Sequence, residues 1–236
     1  MLGTVLLVPG LGLPRYTLPT AEALAAHGMR CVVLDALASR RDRPRVPPDV
    51  DSLGRAAARW VQASTVGGPL VLFGHSTGAQ AALAAALELQ PVLPSLRLVL
   101  AGPTFQPEHR TVAGLARAGA TAYRRDSPRE LAVLRDLARV RTDVVRIIRS
   151  AQRDRPEERI AGLHAPLLLT AGEYDTFACL EWMKRLAAAS GSAQAGDGSP
   201  RVVRLPGSHN NLFTHPFEIA AEVARWANPD GAPGQR

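Results

Sequence analysis

Residues 69–89 read PLVLFGHSTGAQAALAAALEL, and this stretch decides the predicted fold. Pro69–Phe73 is a short, continuous apolar run, as expected for a strand that is buried on both faces. Ala79–Gln90 is rich in alanine, stops before a proline and favours a helix. Between them, Gly74-His75-Ser76-Thr77-Gly78 matches the pattern G-x-S-x-G in the strand–turn–helix context that raises a serine above a sheet. Ser76 is therefore a candidate nucleophile.

The rest of the chain also alternates short apolar runs with helical patterns. This alternation predicts an α/β fold, with a mostly parallel six-stranded sheet covered by helices on both faces. The predicted strands are Thr4–Val8, Arg30–Leu34, Pro69–Phe73, Leu96–Ala101, Ala165–Thr170 and Arg201–Leu205. The predicted helices beside the sheet are Leu18–His27, Val50–Ala63, Ala79–Gln90 and Pro216–Ala227. In the last helix we expect the core to contain Phe217, Ala220, Ala221, Ala224 and Trp226.

Residues 106–160 break the alternation, because no strand pattern occurs there. The segment carries 13 arginines against eight acidic residues, so it supplies most of the net positive charge of the chain. Its three helical patterns lie at Thr111–Tyr123, Pro128–Val140 and Asp143–Ala151. We interpret it as a helical cap inserted into an α/β core of residues 1–105 and 161–228. We expect a mobile loop at Ser190–Ser199 and a flexible tail at residues 229–236.

The composition is that of an ordinary globular protein, with 46% hydrophobic and 21% charged residues. Cys31 and Cys179 are too few for a disulfide scaffold or a cysteine-based metal site, and are typical of a reducing compartment. No apolar stretch is long enough to span a membrane, and no secretion signal is visible. We therefore expect a cytoplasmic protein that does not contact membranes.

The net charge of +7 raises the question of a nucleic-acid partner. However, Lys184 is the single lysine among 28 basic residues, and alanine is abundant, a bias typical of a GC-rich bacterial coding sequence rather than of a phosphate-binding stripe. Aromatic residues make up only 5% of the chain, so surfaces for base stacking are scarce. We expect no nucleic-acid partner.

A serine nucleophile needs a base and an acid that orients the base. The loop after the fifth predicted strand contains Asp175, our candidate acid, with Glu173 as the alternative. The loop after the sixth contains His209, our candidate base, and His215 follows it as a competitor. Along the chain the serine comes first, then the acid and then the histidine, which is the order that accompanies a G-x-S-x-G elbow. No histidine pair has the H-E-x-x-H spacing, so we expect neither a metal nor another cofactor.

An oxyanion hole requires two N–H donors close to the nucleophile. One candidate is the backbone N–H of Thr77, directly after the serine. The second is the N–H of Leu11 in the loop after the first strand, where Gly10 and Gly12 permit close approach of a ligand. This glycine-rich loop lacks both G-x-G-x-x-G and a phosphate-binding lysine, which argues against a nucleotide site. We expect Gly10 and His75 to line the substrate pocket.

These segments together resemble the α/β-hydrolase superfamily, and in particular its compact capped esterases and C–C bond hydrolases. The resemblance covers nearly the whole chain: Pro9–Gly12, the elbow at Gly74–Gly78, Asp175 and His209. It implies the α/β-hydrolase fold without its first hairpin, and a triad of Ser76, His209 and Asp175. Val8-Pro9 stands where many members have His-Gly. A serine at position 76 excludes the relatives that use an aspartate or cysteine nucleophile.

The resemblance implies a serine hydrolase that cleaves a carboxylic ester or thioester through an acyl-enzyme. Three alternatives stay open. The first is elimination, cyclisation or acyl transfer on a natural-product intermediate in bacterial specialised metabolism. The second is C–C bond hydrolysis, and the third is ligand binding without catalysis. We expect a small-molecule or carrier-bound acyl substrate. The arginines of the cap either meet an anionic group of that substrate or form a solvated face.

Overall fold

The structure is a computed structural model that describes residues 3–37, 46–65, 68–125, 141–194 and 199–228. Its centre is a six-stranded sheet in the order β2-β1-β3-β4-β5-β6, and every pairing is parallel. The strands are β1 Thr4–Val8, β2 Arg30–Val33, β3 Leu70–His75, β4 Leu96–Ala101, β5 Leu167–Gly172 and β6 Arg201–Leu205. The predicted fold class is confirmed.

Two strands extend further towards their carboxyl ends than the sequence predicts. β3 continues through Gly74 and His75 because its neighbour β4 pairs with both residues, up to His75 with Ala101. β5 continues to Gly172, which pairs with Leu205 of β6. Pairing partners on the neighbouring strands therefore override the turn signal that a glycine gives in the sequence.

Helices cover both faces of the sheet. They are α1 Leu18–Ala26, α2 Val50–Ala63, α3 Thr77–Leu89, α4 Val112–Arg125, α5 Arg141–Arg153, α6 Pro156–Arg159, α7 Leu180–Ala189, α8 Asn211–Thr214 and α9 Pro216–Ala227. α1 and α9 pack together on one face, and α2 and α3 pack together on the other. Gly54 of α2 allows close contact with α3, because a Cβ there would lie 2.8 Å from the Ala84 methyl group.

The predicted cap supplies α4, α5 and α6 between β4 and β5. Ile147 and Ala151 of α5 are fully buried in the same apolar cluster as α2 and α3, whereas Arg146, Arg149 and Arg153 on the same helix are exposed. The predicted helix Pro128–Val140 and the tail at 229–236 lie outside the described residues, as do residues 195–198 of the predicted loop. That residues 106–160 form a separate unit stays a prediction.

The prediction for the last helix was wrong at two positions. Phe217 is 72% exposed and Ala221 is also exposed. The buried stripe of α9 contains Ile219, Ala220, Val223 and Ala224, so the helix is rotated away from the predicted phase. Half of the residues in this stripe are alanine, and Phe217 is exposed in the first turn of the helix. In the described part of the chain, no helix is long and apolar enough to cross a membrane.

Candidate active site

The site lies at the carboxyl edge of the sheet, where the topology reverses. From β1 the chain moves outward to β2, and then returns to place β3 on the other side of β1. The connections that follow β1 and β3 therefore leave in opposite directions and open a crevice, the position where open α/β sheets bind ligands. The turn Gly10–Gly12 and the elbow Gly74–Gly78 flank this crevice.

The elbow holds Ser76 in a backbone conformation that non-glycine residues rarely adopt, with φ 56° and ψ −126°. Such a conformation costs about 1–3 kcal/mol and persists only where the surroundings impose it. Here they do, because the chain passes very close to itself on both sides of the serine. A Cβ on Gly74 would clash with the carbonyl oxygen of Gly78, and a Cβ on Gly78 would clash with that of Val8. These contacts explain why both flanking positions are glycine.

The structure brings Ser76, His209 and Asp175 together in one hydrogen-bonded chain. The Ser76 Oγ lies 3.0 Å from His209 Nε2, and His209 Nδ1 lies 2.9 Å from Asp175 Oδ2. An ionised carboxylate can only accept, so the Nδ1 of His209 carries the proton and its Nε2 accepts from the serine hydroxyl. The three side chains therefore have the geometry in which the imidazole can remove the serine proton.

Asp175 is held ionised by its contacts although its side chain is fully buried. Burial alone raises the pKa of a carboxyl group, but His209 and two backbone N–H groups more than compensate and lower the pKa of Asp175. The two N–H donors belong to Phe177 and Ala178, at 2.8 and 3.0 Å from Oδ1. Both carboxylate oxygens are therefore engaged, which fixes the orientation of the acid.

The alternative acid and the alternative base lie elsewhere. Glu173 is exposed, two residues before the buried Asp175. His215 precedes α9, and its Nδ1 lies 2.9 Å from the Thr214 hydroxyl. Of the two carboxylates and two imidazoles weighed from the sequence, the pair Asp175 and His209 is the one in line with Ser76.

The predicted oxyanion donors also lie beside the serine. Thr77 is the first residue of α3, where a backbone N–H has no partner within the helix. The N–H of Leu11 donates to the hydroxyl of Thr77 at 2.8 Å. Leu11 has a φ of 52°, which non-glycine residues rarely adopt, and Gly10 packs so tightly that a Cβ there would lie 2.8 Å from the Cβ of Ser76. Gly10 is therefore needed for close packing rather than for an unusual φ.

A cavity of about 260 Å³ opens in front of the serine and reaches under the predicted cap. Its apolar wall is formed by Leu13, Phe105, Leu115, Val144, Ile148 and Phe177. Gly10 and His75, predicted to line the substrate pocket, both border it. No arginine or other charged side chain among the described residues lines this cavity. In the described part of α5, the exposed arginines thus form a solvated face while the opposite face of the helix borders the pocket.

Sequence comparison agrees with the fold. Residues 5–223 match the family described as the alpha/beta hydrolase family. The chain belongs to this family. No curated protein matches the sequence significantly.

Solved structures of several alpha/beta hydrolases and related proteins resemble this chain in fold. A lipase-esterase related protein from Clostridium acetobutylicum is 15% identical in sequence, with a TM-score of 0.73. The structural match covers 94% of this chain and 93% of the other, and the shares below are given in the same order. The enol-lactonase from Burkholderia xenovorans is 18% identical with a TM-score of 0.68, over 94% and 90%. A thioesterase from the prodiginine pathway in Streptomyces coelicolor is 20% identical with a TM-score of 0.63, over 94% and 85%. At these identities the likeness establishes the fold alone.

One buried polar residue of this alpha/beta hydrolase was not singled out from the sequence. Tyr16, six residues after Gly10, places its hydroxyl 2.7 Å from the Gly10 N–H and 2.6 Å from His75 Nδ1. His75 Nε2 in turn lies 2.8 Å from the carbonyl oxygen of His209. A single tyrosine in a loop gives no sequence signal for such contacts, because they depend on how three loops meet in the folded chain.

Burial of His75 predicts a pH dependence of stability. Desolvation, with a further contribution from the nearby His209, lowers the pKa of His75 to about 3, whereas an unfolded histidine titrates near 6.5. The unfolded chain therefore binds more protons between these values, and stability falls as pH decreases through that window, by up to about 1.4 kcal/mol per unit. Urea unfolding of the wild type at pH 7, 6 and 5 should show this loss.

The matched variant is His75→Gln, which keeps one donor and one acceptor but does not titrate. It should lose less stability than the wild type between pH 7 and pH 5. The low pKa of Asp175 contributes in the same direction, but only near and below pH 4, so it stays outside this range. Equal losses in the two proteins would contradict the assignment to His75.

Proposed function

We propose that the protein is a serine hydrolase that cleaves a carboxylic ester or thioester by way of an acyl-enzyme. The observation that carries this proposal is the continuous chain of hydrogen bonds from Asp175 through His209 to Ser76. A retained triad argues against a receptor that merely binds a ligand, because binding alone requires neither the strained elbow nor the aligned imidazole.

In the proposed mechanism, Ser76 Oγ forms a bond to the carbonyl carbon of the substrate while His209 Nε2 takes the serine proton. The tetrahedral intermediate then collapses, the bond to the leaving oxygen or sulfur breaks, and His209 returns the proton to the leaving group. His209 then removes a proton from a water molecule, whose oxygen bonds to the acyl carbon; the bond from that carbon to Ser76 Oγ breaks, His209 returns the proton to Oγ, and the acid is released. Asp175 stays ionised throughout and stabilises the imidazolium.

The developing oxyanion is bound by the N–H groups of Thr77 and Leu11. In the resting site the Leu11 N–H is engaged by the Thr77 hydroxyl. The oxyanion replaces that hydroxyl as the acceptor when substrate binds, and the Thr77 side chain rotates to make room. Donors of this kind each contribute about 3–4 kcal/mol to stabilising the transition state.

The acyl group that suits the cavity is apolar. Its wall consists of aliphatic and aromatic side chains, and a charged acyl group would lose hydration there without gaining a partner from the described residues. The volume of about 260 Å³ lies just below the range of about 300–1,000 Å³ that is usual for ligand pockets. We therefore propose a short or medium-length apolar acyl group. The enol-lactonase and the thioesterase among the similar structures support ester and thioester chemistry.

The test is a panel of acetyl, hexanoyl and succinyl esters and thioesters, followed by intact mass and product analysis in ¹⁸O-labelled water. We expect a transient acyl adduct, highest activity with hexanoyl substrates, and one labelled oxygen in the released acid. Turnover without label in the product would instead favour elimination or transfer to another acceptor. Neither adduct nor turnover with any ester or thioester would contradict the proposed reaction.

The length of the accepted acyl chain should depend on Gly119 of α4. This residue borders the cavity, and among the described residues a Cβ there would meet only the ring of Phe177, at an ordinary contact distance of 3.9 Å. Gly119→Leu should therefore fold normally and fill part of the pocket. We expect the ratio of kcat/KM for hexanoyl over acetyl substrates to fall about tenfold or more. Gly119→Ala is the control and should change this ratio little; an unchanged ratio in Gly119→Leu would place the acyl group elsewhere.

A further inference from the structure

Three catalytic loops of the proposed hydrolase are joined by two buried side chains. The hydroxyl of Tyr16 contacts Gly10 in the loop after β1, and the ring of His75, at the end of β3, contacts Tyr16 at one nitrogen and the backbone of His209 at the other. Tyr16 is 6% exposed and His75 is 1% exposed. We call these two residues the Tyr16–His75 bridge.

The direction of every hydrogen bond in the bridge follows from the chemistry of its ends. The carbonyl of His209 can only accept, so His75 Nε2 must carry a proton and donate it. Burial keeps the His75 ring neutral, so its Nδ1 has no proton and accepts from the Tyr16 hydroxyl. Burial also raises the pKa of Tyr16, which keeps its proton available for that bond. The Gly10 N–H then donates to the tyrosine oxygen, and all polar atoms in the bridge are satisfied.

The Tyr16–His75 bridge connects β3, in the middle of the sheet, to the loop that follows the edge strand β6. His209 follows β6, the edge strand, and two strands, β4 and β5, separate β6 from β3. As an edge strand, β6 is also poorly enclosed, since four of its five residues are partly or fully exposed. The bond from His75 to the His209 carbonyl therefore ties the base loop directly to the strand that carries Ser76.

We propose that Tyr16 and His75 are positioning residues, which hold the backbone of His209 at the distance from Ser76 that proton transfer requires and hold the Gly10–Leu11 turn beside it. This inference rests on the proposed function. Both residues border the cavity, but the nitrogens of His75 and the hydroxyl of Tyr16 bond to protein partners, so these polar atoms act through His209 and Gly10. Their loss should slow the chemical step more than it weakens binding.

The test compares four variants with the wild type on the best ester of the panel. Tyr16→Phe removes the hydroxyl, and His75→Asn shortens the side chain so that it no longer spans both partners. His75→Gln has a longer side chain, which keeps an acceptor for the Tyr16 hydroxyl and a donor for the His209 carbonyl. Tyr174→Phe is the control, because Tyr174 is 49% exposed and lies outside the bridge. The measured quantities are kcat, KM, the rate of labelling by a fluorophosphonate and the thermal midpoint, with kinetics recorded well below each midpoint.

We expect Tyr16→Phe and His75→Asn to lower kcat and the labelling rate together by about ten- to a hundredfold, with KM within about threefold of wild type. His75→Gln should recover most of the rate, and Tyr174→Phe should match the wild type. A lower thermal midpoint with unchanged kcat and labelling rate in Tyr16→Phe and His75→Asn would overturn the inference and leave the bridge a purely structural feature. If either of these variants does not fold, the other together with His75→Gln decides the question.

The outcomes also separate this inference from the proposed function. A wild-type protein that neither reacts with the fluorophosphonate nor hydrolyses any ester overturns both. A wild-type protein that reacts and turns over, with Tyr16→Phe and His75→Asn equal to it in rate, overturns the bridge alone.

Discussion

Ser76→Ala is expected to abolish turnover and leave the fold intact. The variant removes the atom that forms the acyl-enzyme, and loss of a catalytic serine lowers kcat by about 10⁶-fold in the best-studied case. Alanine differs from serine by one oxygen and experiences the same positive φ at the elbow, so the thermal midpoint should change little. Steady-state rates on the best ester of the panel and circular dichroism measure the two effects.

Ser95→Ala is the control for this prediction, because Ser95 is exposed and lies just before β4, at the opposite edge of the sheet from Ser76. It should retain wild-type activity. If Ser76→Ala kept a substantial fraction of the wild-type rate on the same substrate, the reaction would not proceed through this hydroxyl.

The second large effect is expected for Asp175→Asn. The amide is nearly isosteric, but it can present an N–H to His209 and so favour the wrong tautomer, with Nε2 protonated and unable to accept from Ser76. In a serine protease triad the corresponding change lowers kcat by about 10⁴-fold. We expect a loss of similar size here, measured as kcat at neutral pH, with KM much less affected.

Glu173→Gln is the matched control for Asp175→Asn. It makes the same chemical change two residues away, at the exposed carboxylate that the sequence left as the alternative acid. It should leave kcat within about twofold of wild type. A large loss in Glu173→Gln together with near-normal activity in Asp175→Asn would reverse the assignment of the acid.

The main parts of the site could be predicted because they depend on local chemistry at strand ends. The pattern G-x-S-x-G between a predicted strand and a predicted helix indicates an elbow. In the structure, close backbone contacts on either side of Ser76 explain why Gly74 and Gly78 lack side chains. Parallel strands also bring their carboxyl ends to one edge, so the sequence alone predicts that Asp175 and His209 lie near Ser76.

Other features depend on tertiary contacts that no local pattern encodes. The role of Tyr16 follows from the approach of its loop to His75, and nothing in the spacing of the two residues predicts it. The exposed Phe217 shows the same limit, since helical periodicity places it in line with the buried Ala224 and does not reveal that the first turn of α9 is exposed at that position. The engagement of the Leu11 N–H by the Thr77 side chain likewise appears only in the folded chain.

Reaction with a fluorophosphonate, followed by intact mass and peptide mapping, tests the central claim most directly. We expect one adduct per chain, located on Ser76, formed by the wild type and by Ser95→Ala and absent from Ser76→Ala. A folded wild-type protein that acquires no adduct, or an adduct that forms equally in Ser76→Ala, would contradict it.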